Sequence, residues 1–351
     1  MTHESRIQPS DPVVTYSTEG NYHTNLSGGS HDEAETAEEK TAAGTPWFVW
    51  PLLALSVLLG SSSGAIMKKM ELQHAGAVSL AGWRFQVTAM VLLPCFLFQS
   101  LPMSCEARAN LFLTGNVCQI SLSSLGLAAY FGFWNWSILH TSLTHSFFLS
   151  LMTPLYIAFT TVLMGGSLKK LETCGVALGI AGSLILAAGG AEAQAGSETT
   201  LVGDLVAFLA AGGFALYLMA SRSCRGSLPV YVYMFPPTVL TAIMLGIVGV
   251  LLEGWGSWFP GAPDSINGPF GWLRNREFLL WTIFLGIVPG FLCYVEYNIV
   301  LAFTNSLVVS MALAVFPLSG SLLGWLMGLA DKPQLIYVRR RCIDDECHDH
   351  C

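Results

Sequence analysis

Two apolar stretches separated by four residues constrain this chain more than any other feature. Ile120 to His140 reads ISLSSLGLAAYFGFWNWSILH and His145 to Met164 reads HSFFLSLMTPLYIAFTTVLM, with only Thr141 to Thr144 between them. A helix needs about 20 residues to cross about 30 Å of hydrocarbon. The pair therefore predicts a tight antiparallel hairpin of two transmembrane helices. It puts Asn135, His140, His145 and Pro154 within the bilayer or at its edge, where polar groups are costly and find partners. Phe278 to Gly328 repeats the plan: a long span, a short turn, and a span with a central proline, Pro317.

Composition supports a membrane class. Of 351 residues 53% are hydrophobic and only 11% charged, against about 25% charged in soluble domains. Mean hydropathy is +0.56. The expected fold is an all-α polytopic membrane protein whose main partners are the lipid bilayer and a small-molecule substrate; a homodimer stays open. The formal charge of -7 misleads, because Glu and Asp gather in the first 40 residues and near the C-terminal end. No basic stripe with interleaved aromatics exists, which argues against nucleic acid. Nine cysteines are scattered without a disulfide framework. Neither His-Glu-x-x-His nor a phosphate-cradling Gly-x4-Gly-Lys occurs, so no enzyme, ATP-driven step or cofactor is expected. Cys342, Cys347, His348, His350 and Cys351 are metal-ligand types, but their spacing lacks Cys-x2-Cys arms and no metal site is expected.

Residues 1–46 are polar, with an acidic run from Asp32 to Glu39, and are expected to be disordered. Nine spans follow: Trp47–Ile66, Ala77–Phe98, Ile120–His140, His145–Met164, Thr173–Gly189, Gly203–Ala220, Tyr231–Leu252, Phe278–Leu301 and Asn305–Gly328. Small residues on the fifth span, and Ala210 to Gly213 on the sixth, suit close helix packing. Arg84 falls in the second span, where a central Arg is penalised by about 2.5–3.5 kcal/mol on insertion scales. It is expected to snorkel from the outer third or to pair with a carboxylate. The connection from Glu253 to Glu277 carries Trp255, Trp258 and Trp272 and reads as an interfacial loop with aromatic anchors. Seven Lys and Arg on the N-terminal side (Arg6, Lys40, Arg108, Lys169, Lys170, Arg222, Arg225) outweigh Lys68, Lys69, Arg274 and Arg276 opposite. That bias favours a cytoplasmic N-terminus. The charged, Cys/His-rich stretch 329–351 is too polar to supply a tenth helix.

Candidate site residues come from polar groups inside spans. Glu296 lies deep in the eighth span and is placed to hold a proton or a cationic group; the bland alternative is a hydrogen-bonded glutamate closing a helix contact. Tyr294 and Asn298 are four apart and share a helix face. His145 opens the fourth span and either titrates near neutrality or caps a helix end. Ser146, Ser150 and Thr153 make one hydroxyl stripe towards Pro154, and Ser306 and Ser310 begin another towards Pro317. These stripes line a cavity or pack against a neighbour. Asn135 wants a partner, and Asn298 across a repeat axis is the candidate. Asn135, His145, Ser150, Tyr294, Glu296, Asn298 and Ser310 form the expected substrate set. Pro154 and Pro317, each removing a backbone bond, are the expected gating elements.

An offset of 163 residues pairs Asn135 with Asn298, Thr141 with Thr304, Pro154 with Pro317 and Gly165 with Gly328. A repeat of five spans has odd parity, so its second copy enters from the opposite face, a common build for transporters. Trp83-Arg84-Phe85, the hairpin from Phe133-Trp134-Asn135-Trp136-Ser137 to Pro154, Val202-Gly203-Asp204-Leu205, and Ser306 to Ser310 running to Pro317 occur in an order that resembles the drug/metabolite transporter superfamily, EamA type. The resemblance covers roughly Trp47 to Gly328. It implies a carrier of two inverted five-helix repeats, 47–189 and 203–328, the second with its last helix apparently missing. It also implies a cavity walled by spans three, four, eight and nine. The expected function is alternating-access transport of a small polar metabolite, with Glu296 the candidate proton or substrate site. Two alternatives remain: a non-transporting scaffold or truncated inactive copy, and a nucleotide-sugar or triose-phosphate type carrier. The last needs cationic residues in the cavity, and only Arg84 is at hand.

Overall fold

The computed structural model describes residues 45–141, 143–170, 172–178, 180–181, 201–225, 228–253, 267–313 and 315–326. All lie in the compact unit that begins at Thr45. The acidic N-terminal stretch, Trp255, Trp258, the end of the fifth span and the Cys/His-rich tail fall outside the described residues. Among the described residues every regular element is helical. Six helices are long and apolar enough to cross a membrane: Ala77–Ser100, Thr114–His140, Ser146–Leu163, Leu201–Arg225, Val230–Glu253 and Arg276–Val300. Their apolar residues run all the way round the helix, as a segment packed on one side and bathed in lipid on the other requires. Met90, Leu93, Leu97, Phe98, Ile243, Ile247, Leu251 and Leu252 accordingly point outward.

Several spans are broken where local chemistry competes with the helical ladder. The first divides into Val49–Ser61 and Ser63–Leu72. There the Ser61, Ser62 and Ser63 hydroxyls donate to the Leu58, Leu59 and Gly60 carbonyls at 2.9, 2.7 and 2.8 Å, a back-bonding that bends helices. The fourth divides into Leu143–Ser150 and Thr153–Leu163, with Pro154 in the first turn of the second piece, where its missing N–H costs nothing. The ninth divides into Ser306–Leu313 and Phe316–Leu326, again beside a proline, Pro317. The eighth runs as Arg276–Leu285, a π-helical segment Gly286–Leu292 containing Pro289, and Cys293–Val300.

Packing follows the inverted repeat. The third span lies on the sixth and the eighth lies on the first; the third also touches the seventh as the eighth touches the second, and the fourth touches the sixth as the ninth touches the first. Spans two and seven, and spans four and nine, meet each other directly. Each of these contacts has its counterpart when the two halves are exchanged. At the third–sixth crossing a Cβ on Gly126 would stand 2.6 Å from the Gly213 carbonyl, and one on Gly213 would stand 2.8 Å from the Tyr130 nitrogen. Only glycine lets these backbones come so close, and without a hydrophobic drive between helices such contact is what holds them together.

Candidate functional site

Arg84 is buried in the protein rather than snorkelling. It is 3% exposed. Its Nη2 donates to the Pro289 carbonyl at 2.7 Å, and its guanidinium lies over the rings of Phe131 at 4.7 Å and Tyr294 at 5.7 Å. The π-helical turn explains the acceptor, since wider turns inside helices leave carbonyls out of the ladder and recur at functional sites. The approach depends on Gly286 and Gly290, where a Cβ would collide with Val87 and Thr88 of the second span at 2.4 and 2.3 Å. Thr88 completes the seam by donating to the Gly286 carbonyl at 3.0 Å. No described carboxylate forms an ion pair with Arg84, so the expected alternatives, snorkelling and pairing, both give way to burial against a carbonyl and two rings. Cation–π contacts are worth about 2 kcal/mol each when desolvated. A buried charge costs several kcal/mol, so these contacts offset only part of the penalty.

The two rings that clasp Arg84 are equivalent in the repeat: the 163-residue offset carries Phe131 onto Tyr294. It also carries Trp134 onto Tyr297 and Asn135 onto Asn298. Phe85, Phe131 and Tyr294 pack with centroids 5.0, 6.0 and 6.3 Å apart, and Tyr130, Trp134, Tyr217 and Tyr297 extend the cluster. Within it the Arg84 Nε, the Trp134 indole nitrogen, the Asn135 carbonyl oxygen and the hydroxyls of Tyr294 and Tyr297 are buried without a hydrogen bond of ordinary geometry. Five such groups in one place is unusual, because buried polar atoms are nearly always satisfied.

The expected site residues divide around this centre. Tyr294 is part of it. Asn135 borders it, fully buried, with its amide donating to the Phe131 carbonyl of its own helix at 2.9 Å. Asn298 is equally buried but does not meet Asn135. Its amide nitrogen donates to the Tyr217 hydroxyl at 2.7 Å and the Tyr294 carbonyl at 2.8 Å, and its oxygen accepts from Ser221 at 2.8 Å. The pairing of the two amides is thereby replaced by a knot between the sixth and eighth spans. Glu296 stands apart: two residues on from Tyr294, it lies about 200° round the helix at about 100° per residue. It is half-buried and its Oε2 has no partner.

Ser150 donates to the Phe147 carbonyl at 3.0 Å and Ser310 to the Leu307 carbonyl at 2.8 Å, each within its own helix. Thr153 and Ser306 bond carbonyls of the sixth span, those of Ala211 and Leu218, at 3.3 and 3.2 Å. Ser146 shares a 2.5 Å bond with Ser137. Ser150 and Ser310 are thus held to their own helices, whereas Ser146, Thr153 and Ser306 bond a neighbouring one. His145 lies in the Leu143–Ser150 helix. His140 stacks on Trp136 at 3.6 Å, at the end of the third span.

Sequence reasoning missed Phe131, Trp134 and the central place of Arg84. A signal was present: the repeat offset aligns ring with ring at two positions, a match that counting identities passes over. Trp272, expected as an interfacial anchor, is instead buried and donates to Gln86 at 3.0 Å. The string Gly60-Ser61-Ser62-Ser63-Gly64 has the letters of a Gly-x-Ser-x-Gly nucleophile turn. It is helical and lacks the strand-to-helix turn that would expose such a serine.

Polar fastenings join the two halves on the side opposite the N-terminus. Lys69 pairs with Glu277 at 2.8 Å, and Gln73 donates to the same carboxylate at 3.2 Å. Glu253 accepts from the backbone of Val78 at 2.6 Å and Ser79 at 2.9 Å, capping the second span as a carboxylate suits a helix N-terminus. Trp83 and Gln86 donate to the Gly268 and Pro269 carbonyls at 2.7 and 2.8 Å, and Thr141 to Asp204 at 2.5 Å. On the N-terminal side Gln99 accepts from the Tyr231 nitrogen at 2.9 Å, and Asn305 donates to Glu172 at 3.0 Å.

These features define a class: a multi-pass helical membrane protein of two inverted repeats that meet around a buried polar and aromatic centre. The sequence family described as EamA-like transporter family matches residues 48–188 and again 201–334. The chain belongs to that family, within the drug/metabolite transporter superfamily. A solved structure titled only "Crystal structure of protein" is 18% identical, covers 81% of this chain and 89% of its own, and superposes with a TM-score of 0.56. That likeness concerns the fold alone. No curated protein matches the chain.

Proposed function

We propose that this family member is a secondary transporter that moves a small polar metabolite by alternating access, with the Arg84 centre as its substrate site. The observation that carries the reading is the clasp of Arg84 by Phe131 and Tyr294, one ring from each repeat. A solute held there touches both halves at once, so rocking one half against the other changes which side it faces. The bonds from Lys69, Glu253, Trp83, Gln86 and Thr141 fasten the side opposite the N-terminus, as those of Gln99 and Asn305 fasten the other, and each set must part for the site to open on its side. Glu296 serves as the proton carrier from across the eighth helix, acting through movement of that helix rather than by touching the solute.

Solute counterflow in proteoliposomes tests the reading. Wild-type protein preloaded with amino acids, organic acids or sugars should exchange at least one class, and Arg84→Gln should exchange it at least about tenfold more slowly, about 1.4 kcal/mol in the rate. Glu296→Gln should keep exchange but lose its response to an imposed pH gradient. Folded wild-type protein that exchanges none of these solutes defeats the proposal.

A further inference from the structure

We infer that the Arg84 centre selects a small organic monoanion, a carboxylate on a flat apolar group, over neutral and cationic solutes. The inference rests on the transport reading for its biological meaning, but its chemistry stands on the site alone. Four of the five buried polar groups that lack a hydrogen bond of ordinary geometry carry hydrogens to donate: Arg84 Nε, the Trp134 indole and the hydroxyls of Tyr294 and Tyr297. Only the Asn135 oxygen is purely an acceptor. A donor-rich surface is completed by an acceptor-rich ligand, and a charged acceptor forms bonds about twice as strong as a neutral one.

Charge argues the same way. Arg84 brings a guanidinium, the side chain suited to planar recognition of carboxylates, into the centre. It is 3% exposed and paired with no described carboxylate. Its Nη2 donates to Pro289, and its Nε–H is left without a protein acceptor. Glu296, the nearest acidic residue on the same helix, lies on a different face from Tyr294. A single guanidinium matches a single negative charge; a phosphate dianion calls for a second cation. The rings of Phe85, Phe131, Trp134 and Tyr294 set the shape, because faces and edges of this size are best covered by a flat apolar body. These rings also thin the water around the charge, which strengthens its preference for an anion.

A matched set of probes separates charge from shape. Phenylacetate, phenylacetamide and phenethylamine share a ring and differ in charge, while acetate keeps the charge and drops the ring. The purified full chain in detergent is followed by thermal unfolding and by tryptophan fluorescence titration. Phenylacetate should raise the unfolding midpoint and bind at least about tenfold tighter than phenylacetamide, acetate should bind more weakly than phenylacetate, and phenethylamine should not bind. Arg84→Lys should keep part of the preference and Arg84→Gln should abolish it. Arg84→Met should unfold at the same or higher temperature without probe, since it removes a buried unpaired charge, and should lose the phenylacetate response. A structural role for Arg84 would lower that midpoint instead.

Equal response to the amide or amine, an undiminished phenylacetate response in Arg84→Gln, or no response to either anion overturns the inference. Counterflow of a neutral solute without anion binding would leave the transport reading standing and remove this one. Anion binding without counterflow would do the reverse.

Discussion

Asn135 and Asn298 show how two residues at equivalent positions of a repeat diverge in task. Both are fully buried, yet Asn298 bonds Tyr217, Ser221 and the Tyr294 carbonyl, whereas Asn135 bonds only its own Phe131 carbonyl. Replacing Asn298 with Leu strands the Tyr217 and Ser221 hydroxyls in a low-dielectric setting. It should cost about 2–6 kcal/mol, at about 1–3 kcal/mol for each of the two unsatisfied buried groups. Asn135→Leu removes one bond and one unpartnered oxygen together, so its stability should change by less than about 1 kcal/mol. Thermal unfolding of the two purified variants checks this; equal losses would mean that these hydrogen-bond partners do not decide. From the sequence both asparagines read alike, as amides in need of partners. Which amide had found them depended on Tyr217 and Ser221, about 80 residues away along the chain.

At the level of the element, the spans were legible because length and apolarity alone make a segment cross a membrane. Their interruptions were legible only in part. Pro154 and Pro317 mark two breaks, and they sit at the starts of second helical pieces rather than at simple mid-helix kinks. The serine-directed break of the first span and the π-helical turn around Pro289 gave no comparable signal, since a proline ahead of a glycine reads as a kink of any type. The glycines are decided by what faces them. Gly126→Val should lower the unfolding temperature and yield of folded protein sharply, because the Gly213 carbonyl and Tyr217 backbone occupy the space it needs. Gly246→Ala meets nothing within 4 Å. It should be neutral or slightly stabilising, by up to about 1 kcal/mol of helix propensity. Detergent thermal-shift measurements on both would check the contrast; a harmful Gly246→Ala would show that helix packing differs from that described.

For the whole molecule, orientation and motion are open to direct measurement. With the N-terminus in the cytoplasm, exposed Cys105 between the second and third spans lies on the cytoplasmic side, and exposed His74 lies opposite. In intact cells an impermeant maleimide should leave Cys105 unlabelled until permeabilisation and should label His74→Cys at once. The reverse pattern would invert the orientation argued from Lys and Arg counts. In a background without reactive native cysteines, Lys69→Cys with Glu277→Cys, bridged by a short bis-methanethiosulfonate linker, should stop counterflow, and reduction should restore it. Undiminished transport in the bridged protein would mean that the two halves need not separate on that side.

What the sequence determined by itself was the solvent of this protein and its repeated plan. Apolar runs of bilayer length, short turns and prolines recurring at a fixed offset are properties of the chain alone, and the physics of hydrocarbon leaves such segments few other structures. The tertiary structure decided which polar residues face one another. Arg84, read along the chain, is a misfit in an apolar span; in the fold it is the point where Phe131 and Tyr294 converge from opposite repeats. The reason is physical: the direction of a side chain in a helix that is apolar all round is fixed by where its glycines let neighbours approach. Gly126, Gly213, Gly286 and Gly290 set those approaches through partners that no local pattern names.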